Sequence, residues 1–112
     1  MGGLQSIETG IVHLGYFRWI GAFSPGYMRP AALSEEFENA LRDPDKINKN
    51  LLLFDIVIGA DDKMVGEDVT KFEDQLKQAN VQHTYTVLPG ETHSMFVWRP
   101  ALANFLQEIF KE

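Results

Sequence analysis

The sequence contains no cysteine, no excess of basic residues and no long apolar run. The absence of cysteine excludes a disulfide framework, a catalytic thiol and a cysteine-ligated metal site, and it leaves the redox compartment open. The formal net charge is −6, so we expect neither a nucleic-acid partner nor an anionic membrane surface, because both favour basic faces. No apolar stretch approaches the ~20 residues of a membrane-spanning helix, and no signal peptide is visible, so the localisation stays unknown.

What is present fits one globular domain. The chain has 112 residues, 45% of them hydrophobic, which suits a single domain with its own core. The hydrophobic periodicity predicts alternating helices and strands. In order, these are helix 3–14, strand 16–23, a short helix through Leu33, Phe37 and Leu41 that Ser34 caps, strand 51–59, a helix from Val65 to Ala79, strand 82–88 and a final helix.

Alternating helices and strands of this kind predict an α/β fold with a three-stranded parallel sheet flanked by helices. Residues 51–59 form a nearly continuous apolar run, which is typical of a strand covered on both faces. Residues 42–50 are expected to be a polar connection. Pro100 suits the first turn of the last helix. The buried stripe of that helix is predicted to comprise Leu102, Phe105, Leu106 and Ile109.

Two loops that leave strand ends carry ionisable side chains. Asp61 and Asp62 follow the second predicted strand, and His93 follows the third. Because the carboxyl ends of neighbouring parallel strands meet at one edge of the sheet, we expect an aspartate to lie beside His93. A carboxylate that fixes an imidazole tautomer, with the imidazole transferring protons, is two-thirds of a catalytic triad.

Plainer interpretations of these residues stay open. Asp61 and Asp62 are also typical of a turn and a helix N-cap. His93 alone is equally compatible with a solvated loop position, and Trp98 is expected to be a packing residue and not a substrate platform. A metal site formed by Asp61, Asp62 and His93 is chemically feasible, although no ligand spacing favours it.

A nucleophilic serine is missing from the expected position. In α/β-hydrolases the triad order is serine, acid, histidine, and the serine lies in a G-x-S-x-G elbow between a strand and a helix. The chain begins Met-Gly-Gly and enters a helix directly. An elbow reading G-x-S-M-G-G would place the serine one residue before Met1. Four serines occur elsewhere and are poor substitutes: Ser6, Ser24, Ser34 and Ser94.

Three segments together resemble an esterase family of α/β-hydrolases. They are "MGGLQSIETGIVHLGYFRWIGAFS", "INKNLLLFDIVIGADD" and "LPGETHSMFVWRPALANFLQEIF". The family includes feruloyl esterases attached to xylanases, S-formylglutathione hydrolases, siderophore esterases and mycolyltransferases. The most specific match is G-x-x-H-x-x-x-x-W-[R/K], with His93, Trp98 and Arg99 in register. Asp55, where the family has an apolar residue, departs from the pattern, as do Ser94 and Met95 after the histidine.

The resemblance implies a partial α/β-hydrolase fold, with residues 1–112 forming the C-terminal part of an esterase domain that starts just after the nucleophile elbow. It implies Asp62 as the triad acid, His93 as the general base and the backbone N–H of Met1 as an oxyanion-hole donor. No cofactor and no metal are implied. The expected substrate is a carbohydrate-linked ester, such as feruloyl or acetyl groups on xylan, and the parent enzyme would be secreted or periplasmic.

Since the serine is missing, we expect the isolated chain to be inactive. Its expected partner is either another copy, as a homo-oligomer, or the missing N-terminal half. The alternative is a non-catalytic fragment or truncated product that acts only as an interaction or folding unit.

Overall fold

The computed structural model describes residues 1–26, 28 and 33–111. Within this part of the chain there are five helices and three strands. The helices are α1 (Gly2–Val12), α2 (Glu35–Leu41), α3 (Pro44–Asn50), α4 (Gly66–Gln78) and α5 (Met95–Ile109). The strands are β1 (Trp19–Phe23), β2 (Leu53–Gly59) and β3 (Thr84–Leu88). None of these helices is long and apolar enough to cross a membrane.

The strands form one parallel sheet in the order β1-β2-β3. Ile20 of β1 lies opposite Phe54 of β2, and Ile56 of β2 lies opposite Tyr85 of β3. The predicted α/β class and the three-stranded parallel sheet flanked by helices are therefore confirmed. Strands β1 and β3 are the two outer strands of this sheet, and β2 is paired on both sides.

The larger hydrophobic core lies on one face of the sheet. Alternating strand residues, among them Ile20, Phe54 and Ile56, pack there against the buried faces of α1, α2, α3 and α4. A smaller cluster lies on the other face, where Val57 packs against Val97 and Ala101 of α5. The sheet is thus a middle layer between helices, an arrangement typical of α/β domains.

Residues 44–50 form a helix where the sequence predicted a polar connection over residues 42–50, so that prediction is wrong. Asp43 caps α3 by accepting a hydrogen bond from the N–H of Lys46 at 3.3 Å, and Pro44 occupies the first turn. Ile47 is buried in the core and is the residue that anchors the helix. One apolar residue in seven gives no periodic signal, although Asp followed by Pro is a helix-start signature.

Helix α5 begins earlier than predicted, and its buried face differs. Ser94 caps it by accepting from the N–H of Phe96, so Pro100 lies inside the helix and not in its first turn. The residues buried against the sheet are Val97 and Ala101. In the predicted stripe, Leu102 is 49% exposed and Leu106 is 40% exposed. Leu102 and Leu106 each lie one residue further along the helix than a position on the face that packs against the sheet. One residue corresponds to a rotation of about 100° around the helix axis, which turns these side chains away from the sheet.

Strand β2 is fully covered on one face only. On the α5 face, Asp55 and Leu53 are half-buried beside a cavity of about 340 Å³. Asp55 accepts a hydrogen bond from the hydroxyl of Thr84 at 2.7 Å. Burial raises the pKa of Asp55; the Thr84 hydrogen bond lowers this pKa, and the nearby charge of Glu108 raises it. The expected complete covering of both faces is wrong at this position, where the carboxyl group has a partner and partial access to solvent.

Candidate active site

The loops that follow β2 and β3 are held together at the carboxyl edge of the sheet. The N–H of Asp61 donates to the carbonyl of Glu91 at 2.8 Å, and the N–H of Ala60 donates to that of Leu88 at 2.9 Å. Gly59 ends β2 directly beneath this crossing, because a Cβ atom there would collide with the carbonyl of Glu91. The absence of a side chain at Gly59 therefore lets the loop that carries His93 pass over the end of β2.

Asp62 and His93 form a close pair at this edge. Nδ1 of His93 lies 2.8 Å from Oδ2 of Asp62. The side chain of Asp62 is fully buried, whereas that of His93 is 26% exposed. The predicted proximity of the two side chains is confirmed. Since a carboxylate only accepts hydrogen bonds, Nδ1 carries the proton. The other nitrogen, Nε2, has no hydrogen bond within residues 1–26, 28 and 33–111.

The second carboxylate oxygen of Asp62 holds the loop itself. Oδ1 accepts hydrogen bonds from the N–H groups of Met64 and Val65, both at 3.0 Å. This is an Asx-type turn directly before α4. Asp62 therefore has the turn-forming role that the plainer interpretation proposed, and it also contacts His93 through its other oxygen. The neighbouring Asp61 is exposed.

Trp98 packs against the imidazole of His93. The two ring centroids are 5.3 Å apart and the ring planes are nearly perpendicular, at 85°. The indole N–H of Trp98 donates to Oγ of Ser24 at 3.0 Å. Ser24 follows β1, is buried, and has a positive φ of 51°. Sequence reasoning identified Trp98 and the end of β1 but missed this bond, because no local pattern links residues 74 positions apart.

The amino terminus of α1 lies at the same edge of the sheet. A Cβ atom at Gly3 would collide with Pro25, which directly follows Ser24. A Cβ atom at Gly26 would lie 3.9 Å from the nitrogen of Met1 and 3.5 Å from Cγ1 of Val65. The first residues of α1 therefore border the loop after β1, and that loop borders the turn formed by Asp62.

The four serines have other positions in the structure. Ser34 caps α2 by accepting from the N–H of Phe37 at 3.2 Å, as predicted, and Ser94 caps α5. Ser6 lies within α1. The hydroxyl of Ser24 accepts a hydrogen bond from the indole of Trp98, and in the described part of the chain no hydrogen bond joins Ser24 to His93.

The remaining histidines lie away from Asp62. Nε2 of His83 lies 2.9 Å from Oε1 of Glu73, which can only accept a hydrogen bond, and Nδ1 lies 2.7 Å from the carbonyl oxygen of Val81. This pair links α4 to the start of β3. His13 is exposed and packs edge-on against Tyr16. Among the described residues, no group of three or more His, Cys, Asp or Glu side chains could hold a metal ion.

Comparison with solved structures identifies the fold. A CE1 ferulic acid esterase from the anaerobic fungus Anaeromyces mucronatus, solved in the absence of substrate, matches 95% of this chain with a TM-score of 0.68 and 21% identity. A second ferulic acid esterase matches 97% of it with a TM-score of 0.75 and 19% identity. The chain has part of a feruloyl esterase fold. It spans only 40% and 47% of those two proteins, respectively. No family model matches the sequence.

Proposed function

We propose that residues 1–112 are the C-terminal part of a serine esterase domain and that Asp62 and His93 are its acid and general base. The observation that carries this proposal is the 2.8 Å bond between Nδ1 of His93 and Oδ2 of Asp62. It leaves Nε2 of His93 as the unprotonated nitrogen, which is the tautomer that a general base requires. Because the Asp62 carboxylate is anchored by two backbone N–H groups, it can hold this tautomer rigidly.

In the proposed mechanism a serine placed directly before Met1 is the nucleophile. His93 Nε2 takes the serine proton as the hydroxyl oxygen attacks the ester carbonyl, and the protonated imidazole then gives that proton to the departing alcohol. A water molecule then attacks the resulting acyl-enzyme. His93 takes a proton from the water and gives it to the serine oxygen as the acyl–serine bond breaks, which releases the acid. The negative oxygen of each tetrahedral intermediate would be stabilised by the backbone N–H of Met1 and by the positive amino end of α1.

The proposed substrate of the complete domain is a carbohydrate-linked ester, with feruloyl or acetyl groups on xylan-type polysaccharide as the main candidates. Support comes from the solved structures that share the fold, since both are named as ferulic acid esterases. A parent enzyme that acts on an external polysaccharide would be secreted or periplasmic. The mechanism uses only side chains and backbone groups, so it requires no cofactor.

A second candidate is a non-catalytic interaction or folding unit. It is favoured by the open side of β1, which pairs only with β2 in the described structure. Beside this edge lies a groove of about 580 Å³ between α1 and α5, lined by Phe17, Trp19 and Phe105 among others. An unpaired strand edge is a template for another strand, and the aromatic side chains of this groove could cover the added strand.

The coding sequence upstream of the Met1 codon distinguishes the two candidates. The esterase proposal expects a strand followed by G-x-S immediately before Met1, and hydrolysis of methyl ferulate by the longer polypeptide. Replacing the serine in that polypeptide with alanine should abolish turnover. An upstream sequence without a strand and G-x-S, or turnover that survives the serine replacement, would contradict the esterase proposal and favour the interaction unit.

A further inference from the structure

Ser24 is held in an unusual backbone conformation at the end of β1. Its φ of 51° is in the left-handed region, which residues other than glycine, asparagine and aspartate rarely adopt. The N–H of Ser24 donates to the carbonyl of Val57 at 2.8 Å, so the residue is fixed to the central strand. Only 4% of Ser24 is exposed. Backbone strain that the surroundings maintain clusters at functional sites.

The side chain of Ser24 contacts α5. Its Oγ accepts the indole N–H of Trp98, and Trp98 in turn packs against His93 with nearly perpendicular ring planes. A continuous chain of contacts therefore runs from the end of β1 through Ser24 and Trp98 to the imidazole. These contacts reach His93 from the end of β1 and are independent of Asp62, which follows β2.

The single hydrogen bond that His93 donates to Asp62 does not fix the imidazole completely, because the ring can still pivot about the Nδ1···Oδ2 line. A second contact away from that line removes this freedom. The Trp98 ring supplies such a contact, and the Ser24 hydrogen bond fixes where the Trp98 ring lies. Any buried indole N–H needs an acceptor. The positioning role is carried instead by where that acceptor and the ring lie: the acceptor is on Ser24, a residue with a strained backbone, and the ring packs against His93.

We propose that Ser24 is a positioning residue, which acts through Trp98 to set the orientation of the His93 imidazole and hence the direction of Nε2. This inference rests on the proposed role of His93 as general base. Ser24 itself touches no reacting atom, and its hydroxyl takes no proton in the reaction. Its contribution is to hold the Trp98 ring in place against His93.

The unsubstituted chain offers a first test, because it contains two tryptophans. Trp19 is 44% exposed and serves as the internal control. By nuclear magnetic resonance, the indole N–H of Trp98 should exchange with solvent at least about tenfold more slowly than that of Trp19, since it is hydrogen-bonded and less accessible. Nuclear Overhauser effects should connect the Trp98 ring to the His93 ring. Equal exchange rates, or the absence of these effects, would overturn the proposal.

Substitutions then separate positioning from packing. Ser24→Gly removes the hydroxyl and also relieves the backbone strain, while Trp98→Phe keeps an aromatic ring but loses the donor. Both should shift the ring-proton resonances of His93 and accelerate exchange of its Nδ1 proton. Ser24→Ala, which keeps the strain, should have the same effect on His93 and a lower melting temperature than Ser24→Gly. His93 signals that stay unchanged in folded Ser24→Gly and Trp98→Phe would overturn the positioning role.

These measurements do not depend on ester chemistry, so the two proposals can fail separately. If the longer polypeptide shows no serine-dependent turnover while the His93 signals respond as expected, the esterase proposal fails and the structural coupling of Ser24 to His93 stands. If turnover depends on the serine but the His93 signals do not change when Ser24 is substituted, only the positioning proposal fails.

Discussion

The carboxylate of Asp62 and the imidazole of His93, 31 residues apart in sequence, meet at 2.8 Å above the ends of two adjacent parallel strands. One oxygen of Asp62 holds its own loop and the other holds the histidine. The same carboxylate therefore shapes the turn and holds the imidazole of His93. This dual use explains why an ordinary turn aspartate and a catalytic acid are hard to distinguish at this position.

The isolated chain is expected not to hydrolyse activated esters by a serine mechanism. None of its four serines is hydrogen-bonded to His93 in the described structure, and triad members act as a unit. The purified chain would be incubated with an aryl acetate and, separately, with a serine-directed phosphonate. Stoichiometric labelling of any serine, with a parallel loss of turnover, would contradict this expectation.

Replacing Asp62 with asparagine should reverse the tautomer of His93. The amide oxygen can still accept from Met64 and Val65, which leaves its NH₂ group facing Nδ1 of His93 and moves the ring proton to Nε2. In a complete domain this change should lower kcat by about 10⁴-fold. Nitrogen-15 resonance of the imidazole measures the tautomer directly. Asp61→Asn, at the exposed neighbouring position, is the matched control, and an unchanged tautomer in Asp62→Asn would refute the account.

Asp55 should make the protein less stable as the pH rises. Burial raises its pKa above the ordinary value of 3.8, so the folded state binds a proton more readily than the unfolded state does. The free energy of unfolding therefore decreases as the pH rises from 3.8 through the folded-state pKa, and the loss is complete above that pKa. Asp55→Asn keeps an acceptor for the Thr84 hydroxyl and removes the charge.

The Asp55→Asn variant should therefore melt at a higher temperature than the unsubstituted chain at neutral pH, and the difference should vanish in acid. Thermal unfolding followed by circular dichroism across this pH range is the measurement. Asp45→Asn, at an exposed position on α3, is the control and should show no such pH-dependent difference. A neutral-pH melting temperature that does not rise in Asp55→Asn would show that its charge is fully solvated in the folded state.

The chain should associate through the open edge of β1. Trp19 is 44% exposed and lies in the groove beside that edge. Trp19→Lys places a charge where another strand would pair, and it should weaken self-association by about tenfold or more, or ~1.4 kcal/mol. Leu52→Lys is the control, since Leu52 is 63% exposed and lies outside that groove. Sedimentation equilibrium would measure both, and a stable monomer at every concentration would contradict the expectation.

Much of the fold could be predicted because its signals are local. The periodic apolar positions of α4, such as Val69, Phe72 and Leu76, are all buried as their spacing predicts. The continuous apolar run of residues 51–59 predicted a parallel strand, which is β2. The placement of Asp62 and His93 followed from one topological rule, that neighbouring parallel strands present their carboxyl ends at one edge.

The features that were missed depend on tertiary context. Leu102 and Leu106 form a valid helical stripe, but the sheet contacts the face that contains Val97 and Ala101. Helix α3 is held by its cap and one buried residue, Ile47, so it has no periodic pattern to detect. The Ser24–Trp98 hydrogen bond joins distant segments, and neither segment has a local sequence pattern that predicts it.

The most direct test of the central claim is to supply the missing serine. A chain extended by Gly-Ala-Ser before Met1 places a hydroxyl at the amino end of α1, and a Gly-Ala-Ala extension is the matched control. Both would be treated with a fluorophosphonate, and labelling would be followed by intact-mass and peptide mass spectrometry. The account predicts labelling of the added serine alone, lost in the alanine control and in His93→Ala but retained in His13→Ala. Absence of labelling in the folded extended chain, or labelling that persists at the same rate in His93→Ala, would contradict it.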